Sequence, residues 1–174
     1  MLRLRKPTVA DVPAMVAMMR PHILSERLLP RTARQVAERL RDYVVAERRS
    51  PDPEVAPVLV GVASISLVDT HLAEVGALAA DEADIEVALV RHLLDEAVGM
   101  GVADAFVLTD QPALFEGLGF QRTSVALIPE KRDRQCLRCT RLPRCRQVAL
   151  TARLDADRLD AGRQVDGAWS VAAK

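Results

Sequence analysis

The stretch from Val58 to Leu108 does most to limit the folds open to this chain. Val58 to Val68 is a long, mostly apolar run rich in β-branched residues, and Leu72 to Asp81 follows as a second segment of strand length. From about Ala83 to Met100 the pattern changes to helical spacing, with Val87, Val90, Leu93, Leu94 and Ala97 on one face. Gly101 stands where a helix C-cap belongs, and Ala105-Phe106-Val107-Leu108 is apolar throughout, as expected of a strand covered on both sides. Two strands, an amphipathic helix and a third strand imply an α/β sheet with helices laid on it.

The flanks extend this arrangement. Leu2 and Leu4 alternate with arginines, as in a short strand. Thr8 and Asp11 have capping-box spacing ahead of Val12, Met15, Val16 and Met19, a helical stripe that Pro21 is expected to stop. A second helix is expected from Thr32, with Val36 and Leu40 inward, and the β-branched pair in Tyr43 to Ala46 favours a strand. Arg48 to Pro57 reads as a solvated connection, Pro112 opens a short helix ending at Gly119, and Phe120 starts the next strand. Gln147 to Leu154 is expected to be the last strand. Residues 155–174 are expected to form a flexible or loosely docked tail, with Trp169 able to anchor it.

Composition narrows the function classes. Hydrophobic residues make up 49% of the 174, too many for a disordered chain. Only five residues are aromatic, so the core must be aliphatic and few base-stacking platforms exist. The 24 basic and 24 acidic side chains cancel, so nucleic acid is not expected as a partner. The basic amino terminus has no apolar run behind it, and no segment is apolar enough for a membrane, so a cytoplasmic protein is expected. Cys136, Cys139 and Cys145 suggest a zinc site with a fourth ligand still to be found. Arginines around them are expected to lower the thiol pKa values, and could equally contact a nucleotide or an acidic partner.

Three stretches together carry a family likeness: Leu28-Leu29-Pro30-Arg31-Thr32, Leu72-Ala73-Glu74-Val75 running on to Leu78-Ala79, and Phe106 to Thr109 leading into Leu114-Phe115-Glu116-Gly117-Leu118-Gly119-Phe120. With the cysteine segment they resemble the short single-domain amino-acid N-acetyltransferases of the GNAT superfamily, similar to N-acetylglutamate synthases. The resemblance implies one domain over residues 1–154, a mixed and mostly antiparallel sheet flanked by about four helices, and acetyl transfer from acetyl-CoA to a small amino acid such as L-glutamate. It implies that Leu78 and Ala80 offer backbone N–H groups to the donor. Glu74 would be the base for the acceptor amine; an edge carboxylate paired with an arginine is the plainer alternative. Arg31 would bind a substrate carboxylate. Phe115 stands where many such enzymes place a tyrosine, and cannot donate a proton.

The sequence departs from that family in one place. Between the fourth strand and the long helix the superfamily carries a glycine-rich loop that wraps the donor's pyrophosphate. Here the segment is Asp81-Glu82-Ala83-Asp84-Ile85-Glu86, without glycine or arginine and with four carboxylates. Two readings follow: an acetyltransferase with a degenerate donor loop, or an impaired domain that binds an amino acid or acts as a partner subunit. A homodimer or a pairing with an active paralogue is compatible with either.

Overall fold

The chain runs through β1 (Leu2–Arg5), α1 (Val12–Leu24), α2 (Ala33–Glu38), β2 (Tyr43–Arg48), β3 (Val58–Leu67), β4 (Leu72–Ala80), α3 (Ala83–Gly99), β5 (Asp104–Thr109), α4 (Pro112–Glu116), β6 (Gln121–Thr123), α5 (Pro129–Arg132) and β7 (Val148–Arg153). This is a computed structural model, and it describes residues 1–154. The expectations for 155–174, Trp169 included, lie outside the described residues. The seven strands form one sheet in the order β1-β2-β3-β4-β5-β7-β6. Only β4 and β5 pair in parallel, joined by the α3 crossover; every other neighbouring pair is antiparallel. The mixed, mostly antiparallel α/β sheet expected from the sequence is therefore present.

Helices cover both faces. On one, Ile85, Leu89, Leu93 and Leu94 of α3 pack on Val44, Ala63, Val75, Val107 and Leu150. Val87 was expected on the buried face but is only half-buried; Ile85 and Leu89 take that place. Gly61 makes this contact close, since a Cβ there would stand 2.9 Å from both Ile85 and Leu89. The opposite face carries α1, whose Val12, Met15 and Met19 meet Tyr43, Val45, Val62, Ala77 and Ala79.

Helix ends follow local chemistry, with one correction. Helix α3 closes on Gly101 at φ 79°, with the Gly101 N–H on the Val98 carbonyl and the Val102 N–H on that of Ala97. The Thr32 hydroxyl accepts from the Gln35 N–H at 3.2 Å while the Gln35 side chain accepts from the Thr32 N–H at 2.9 Å, a reciprocal cap that starts α2. Pro21, however, does not stop α1, which continues to Leu24. Proline removes one hydrogen bond, but it falls in the last turn, after Met15 and Met19 have already anchored the helix.

A bulge in β4 reverses the strand's two faces. Val62 pairs with Ala79 and Ser64 with Gly76, so β4 holds one extra residue there. Ala77 has φ 48°, a left-handed conformation costing a side-chain-bearing residue about 1–2 kcal/mol. Before the bulge Ala73 and Val75 face α3; after it Ala77 and Ala79 face α1, while Leu78 and Ala80 pack towards α3. Pairing of β4 with β5 ends at Val75↔Val107; beyond it Gly76, Ala79 and Ala80 pair with β3, and Ala77 and Leu78 form the bulge.

Candidate active site

A small cleft lies where β4–β5 pairing ends. Gly76, Ala77 and Leu78 line one wall, Val107 to Gln111 the other, with Arg27 and Leu28 above and Phe115 below. The N–H of Asp81 reaches the Val60 carbonyl on β3 at 3.1 Å. By ladder alternation the N–H groups of Leu78 and Ala80 then point away from β3, towards the open side. Phe115 is fully buried and meets Phe120 edge-on at 5.4 Å, a rigid hydrocarbon floor with no proton to give.

Glu74 and Arg31 share the α1 face beside this cleft. Ser66, Glu74 and Phe106 form one cross-strand row; Tyr43, Ser64 and Gly76 form the next, about 7 Å further along the strands. The Arg31 guanidinium donates to the Tyr43 hydroxyl at 3.0 Å, and the fully buried Tyr43 ring fixes that point against the sheet. The α2 cap holds Arg31 immediately ahead of the helix. Glu74 is not an edge carboxylate facing a surface arginine. Its Oε1 accepts from Lys131 Nζ at 2.5 Å, and Lys131, on α5, is only 8% exposed. Ile128, packed with Leu72, Phe106 and Ala149, sets α5 there. Sequence reasoning missed Lys131, because 57 residues separate it from Glu74 and no local spacing links them.

The cleft mouth is polar, and this too was not foreseen. Arg27 bridges three elements: 3.7 Å to Glu86 on α3, 3.4 Å to Asp110 beyond β5, and 3.2 Å to the Nδ1 of His22 on α1. Burial pushes the Glu86 carboxyl above the usual range, against the pull of Arg27. Burial, and next the Arg27 charge, hold His22 below the ordinary imidazole value.

Donor groups fit this cleft unequally. The edge of β4 past Val75 is unpaired by β5 and is flanked by apolar side chains. A diphosphate does not suit the connection to α3, which is just Asp81 and Glu82. No residue there has a positive φ, Glu82 pairs with Arg48 at 2.8 Å, and Asp84 accepts the Ile85 N–H at 3.0 Å. The backbone nest that curls around phosphate is absent from these residues.

The cysteine segment is placed differently from its expectation. Cys136 and Cys139 lie on one single-turn helix and its end, and Cys145 ends the next. Among the described residues no group of three His, Cys, Asp or Glu is arranged to hold a metal. The expected lowering of the thiol pKa is reversed at Cys136, where burial outweighs the nearby Lys131 and pushes the thiol up. Two of the surrounding arginines and a glutamine brace the fold. Arg141 donates to the carbonyl of Leu28 at 3.0 Å, Arg144 pairs with Glu26 at 3.4 Å, and Gln147 donates to the Arg27 carbonyl at 3.0 Å. The segment thus ties down the loop bearing Arg27 and Arg31. His71 is exposed, its carbonyl accepting from Ala103 and Asp104, and no helix among the described residues is long and apolar enough to cross a membrane.

Known proteins share this architecture. An uncharacterised N-acetyltransferase of Chlorobaculum tepidum is 25% identical over 154 residues, 86% of this chain and 95% of that protein. N-acetylglutamate synthase from Neisseria gonorrhoeae, complexed with coenzyme A and N-acetyl-glutamate, superposes with a TM-score of 0.76 at 22% identity. That match covers 89% of this chain but only 35% of the Neisseria chain. Rv2747 from Mycobacterium tuberculosis, in complex with CoA, gives a TM-score of 0.70 at 20% identity, covering 88% of this chain and 99% of that one. No family model matches the chain. At these identities the likeness is one of architecture: the chain has the GNAT fold.

Proposed function

We propose that this protein is an acetyl-CoA-dependent N-acetyltransferase acting on the amino group of a small carboxylate-bearing amino acid, with L-glutamate the first candidate. The open edge of β4 beside Glu74 carries the reading. A thioester entering there would set its carbonyl oxygen against the N–H groups of Leu78 and Ala80, which favour the developing negative charge. Glu74, one row away on the α1 face, would take the proton that must leave the amine before attack. Arg31 would hold a substrate carboxylate, its guanidinium already oriented by Tyr43. With phenylalanine at position 115, the departing thiolate would be protonated by solvent. The Chlorobaculum relative described as an N-acetyltransferase, and the Neisseria structure holding coenzyme A with N-acetyl-glutamate, support donor and acceptor class.

Release of free coenzyme A thiol, followed across a panel of amino acids, tests this. Turnover is expected with acidic amino acids; no turnover on any of the panel would overturn it. A second reading has its own observation, the Arg27 bridge across the cleft beside a glycine-free acidic loop. In that case the domain binds an amino acid, or supports an active paralogue, without a donor. Calorimetry with acetyl-CoA, with and without L-glutamate, separates the two. Micromolar donor binding excludes the second reading, and no heat at millimolar donor excludes the first.

A further inference from the structure

We infer that Lys131 is an internal acetyl acceptor, a site at which the protein modifies itself; this rests on the acetyltransferase reading above. Only three of the 24 basic side chains are lysines: Lys6, Lys131 and Lys174. Arginine is this chain's usual cation, yet lysine is the residue set against Glu74. The distinction is chemical, because a lysine amine can lose its proton and accept an acyl group whereas a guanidinium stays charged. Lys131 Nζ already occupies the place the reading assigns to an acceptor amine: 2.5 Å from Glu74 Oε1, on the face where the sheet opens. Gln135 Oε1 supports the same nitrogen, and the side chain is 10% exposed, so few competing amines or waters reach it.

The step balances without another reactant. Glu74 takes one proton from the Lys131 ammonium. The free Nζ lone pair attacks the thioester carbonyl, the N–C bond forms and the C–S bond breaks. The second amine proton passes by way of solvent to the departing thiolate, and coenzyme A leaves as its thiol. The product is a neutral amide, so Glu74 loses the cation it pairs with.

The test uses the full chain. The purified protein is incubated with acetyl-CoA, and intact mass and peptide mapping follow, with calorimetry on the same preparation to record donor binding. One acetyl group on Lys131, with Lys6 unmodified where it pairs with Glu96, is the expected result. Glu74→Gln should slow it about a hundredfold, and Lys131→Arg should abolish it. Donor binding and turnover of free amino acids with Lys131 unmodified would overturn the internal acceptor and leave the proposed function standing. Absence of donor binding would overturn both. Acetylation spread equally over Lys6 and Lys131, and unchanged in Glu74→Gln, would mark it as uncatalysed and overturn the proposal as well.

Discussion

The two sides of the β4 opening are built to opposite standards. On the side proposed for the acceptor, charged groups are placed by buried neighbours: Tyr43 under Arg31, and Lys131 with Ile128 behind it against Glu74. On the side proposed for the donor, β4 keeps a strand edge unpaired by β5 above the buried Phe115, while the connection to α3 is two acidic residues without glycine. The difference separates chemistry from affinity. Acyl transfer needs a few groups within reach of one bond, whereas holding coenzyme A needs a loop that wraps its charge. A chain can keep the first while losing much of the second.

Four measurements test that contrast. The largest effect is expected from Glu74→Gln, which removes the proposed base and should lower kcat by about 10²–10⁴ with the KM for donor unchanged. A fall in donor affinity instead would move Glu74 to the other side of the comparison. Arg31→Met should raise the KM for an acidic amino acid by about 10- to 100-fold, the loss of a charged hydrogen-bonded contact of about 1.5–3 kcal/mol. Its kcat should hold.

The third variant combines Asp81→Asn, Glu82→Gln and Asp84→Asn. Removing three carboxylates from the donor's phosphate end should tighten acetyl-CoA binding by about tenfold at low salt, and by less as salt screens the charges. Unchanged affinity would place the phosphates elsewhere. The smallest effect concerns Glu86. Its folded pKa is raised by burial, so the folded state holds the proton more tightly than the unfolded one. That contribution to stability is complete below the unfolded carboxylate value and is lost as pH rises through the folded value. Thermal unfolding of Glu86→Gln should lack this loss and exceed wild type at neutral pH by less than about 1 kcal/mol. Glu47 and Asp11, held below the usual range, act in the opposite sense and lose their contribution as pH falls. For Asp11 the Arg5 hydrogen bond is the largest cause; for Glu47 the Arg5 and Arg49 bonds together overcome burial.

Much of the architecture was legible because it depends on short-range pattern. The helical period of α3, the glycine at its end and the helix start at Thr32 each depend on partners within a few residues, and each is present, although Ile85 and Leu89 rather than Val87 line the buried face. Pro21 misled because its cost is set by where the helix happens to be anchored, which only packing with the sheet decides. The cysteine spacing carried no sign of the arginine contacts that pin the segment to the α1–α2 loop, because those join residues more than a hundred positions apart.

Sequence by itself determined the α/β class, the long crossover helix, the aliphatic core, the missing glycine loop and Glu74 as the acidic residue on its strand. These are matters of composition and local period, which a chain carries wherever it folds. Tertiary structure alone decided that β4 reverses its faces at Ala77, that its pairing with β5 stops at Val75, and that Arg27 spans the opening. It alone set Lys131 against Glu74. Each of these joins residues far apart in the chain, and such pairings are fixed by burial and register after collapse, leaving no trace in any short window.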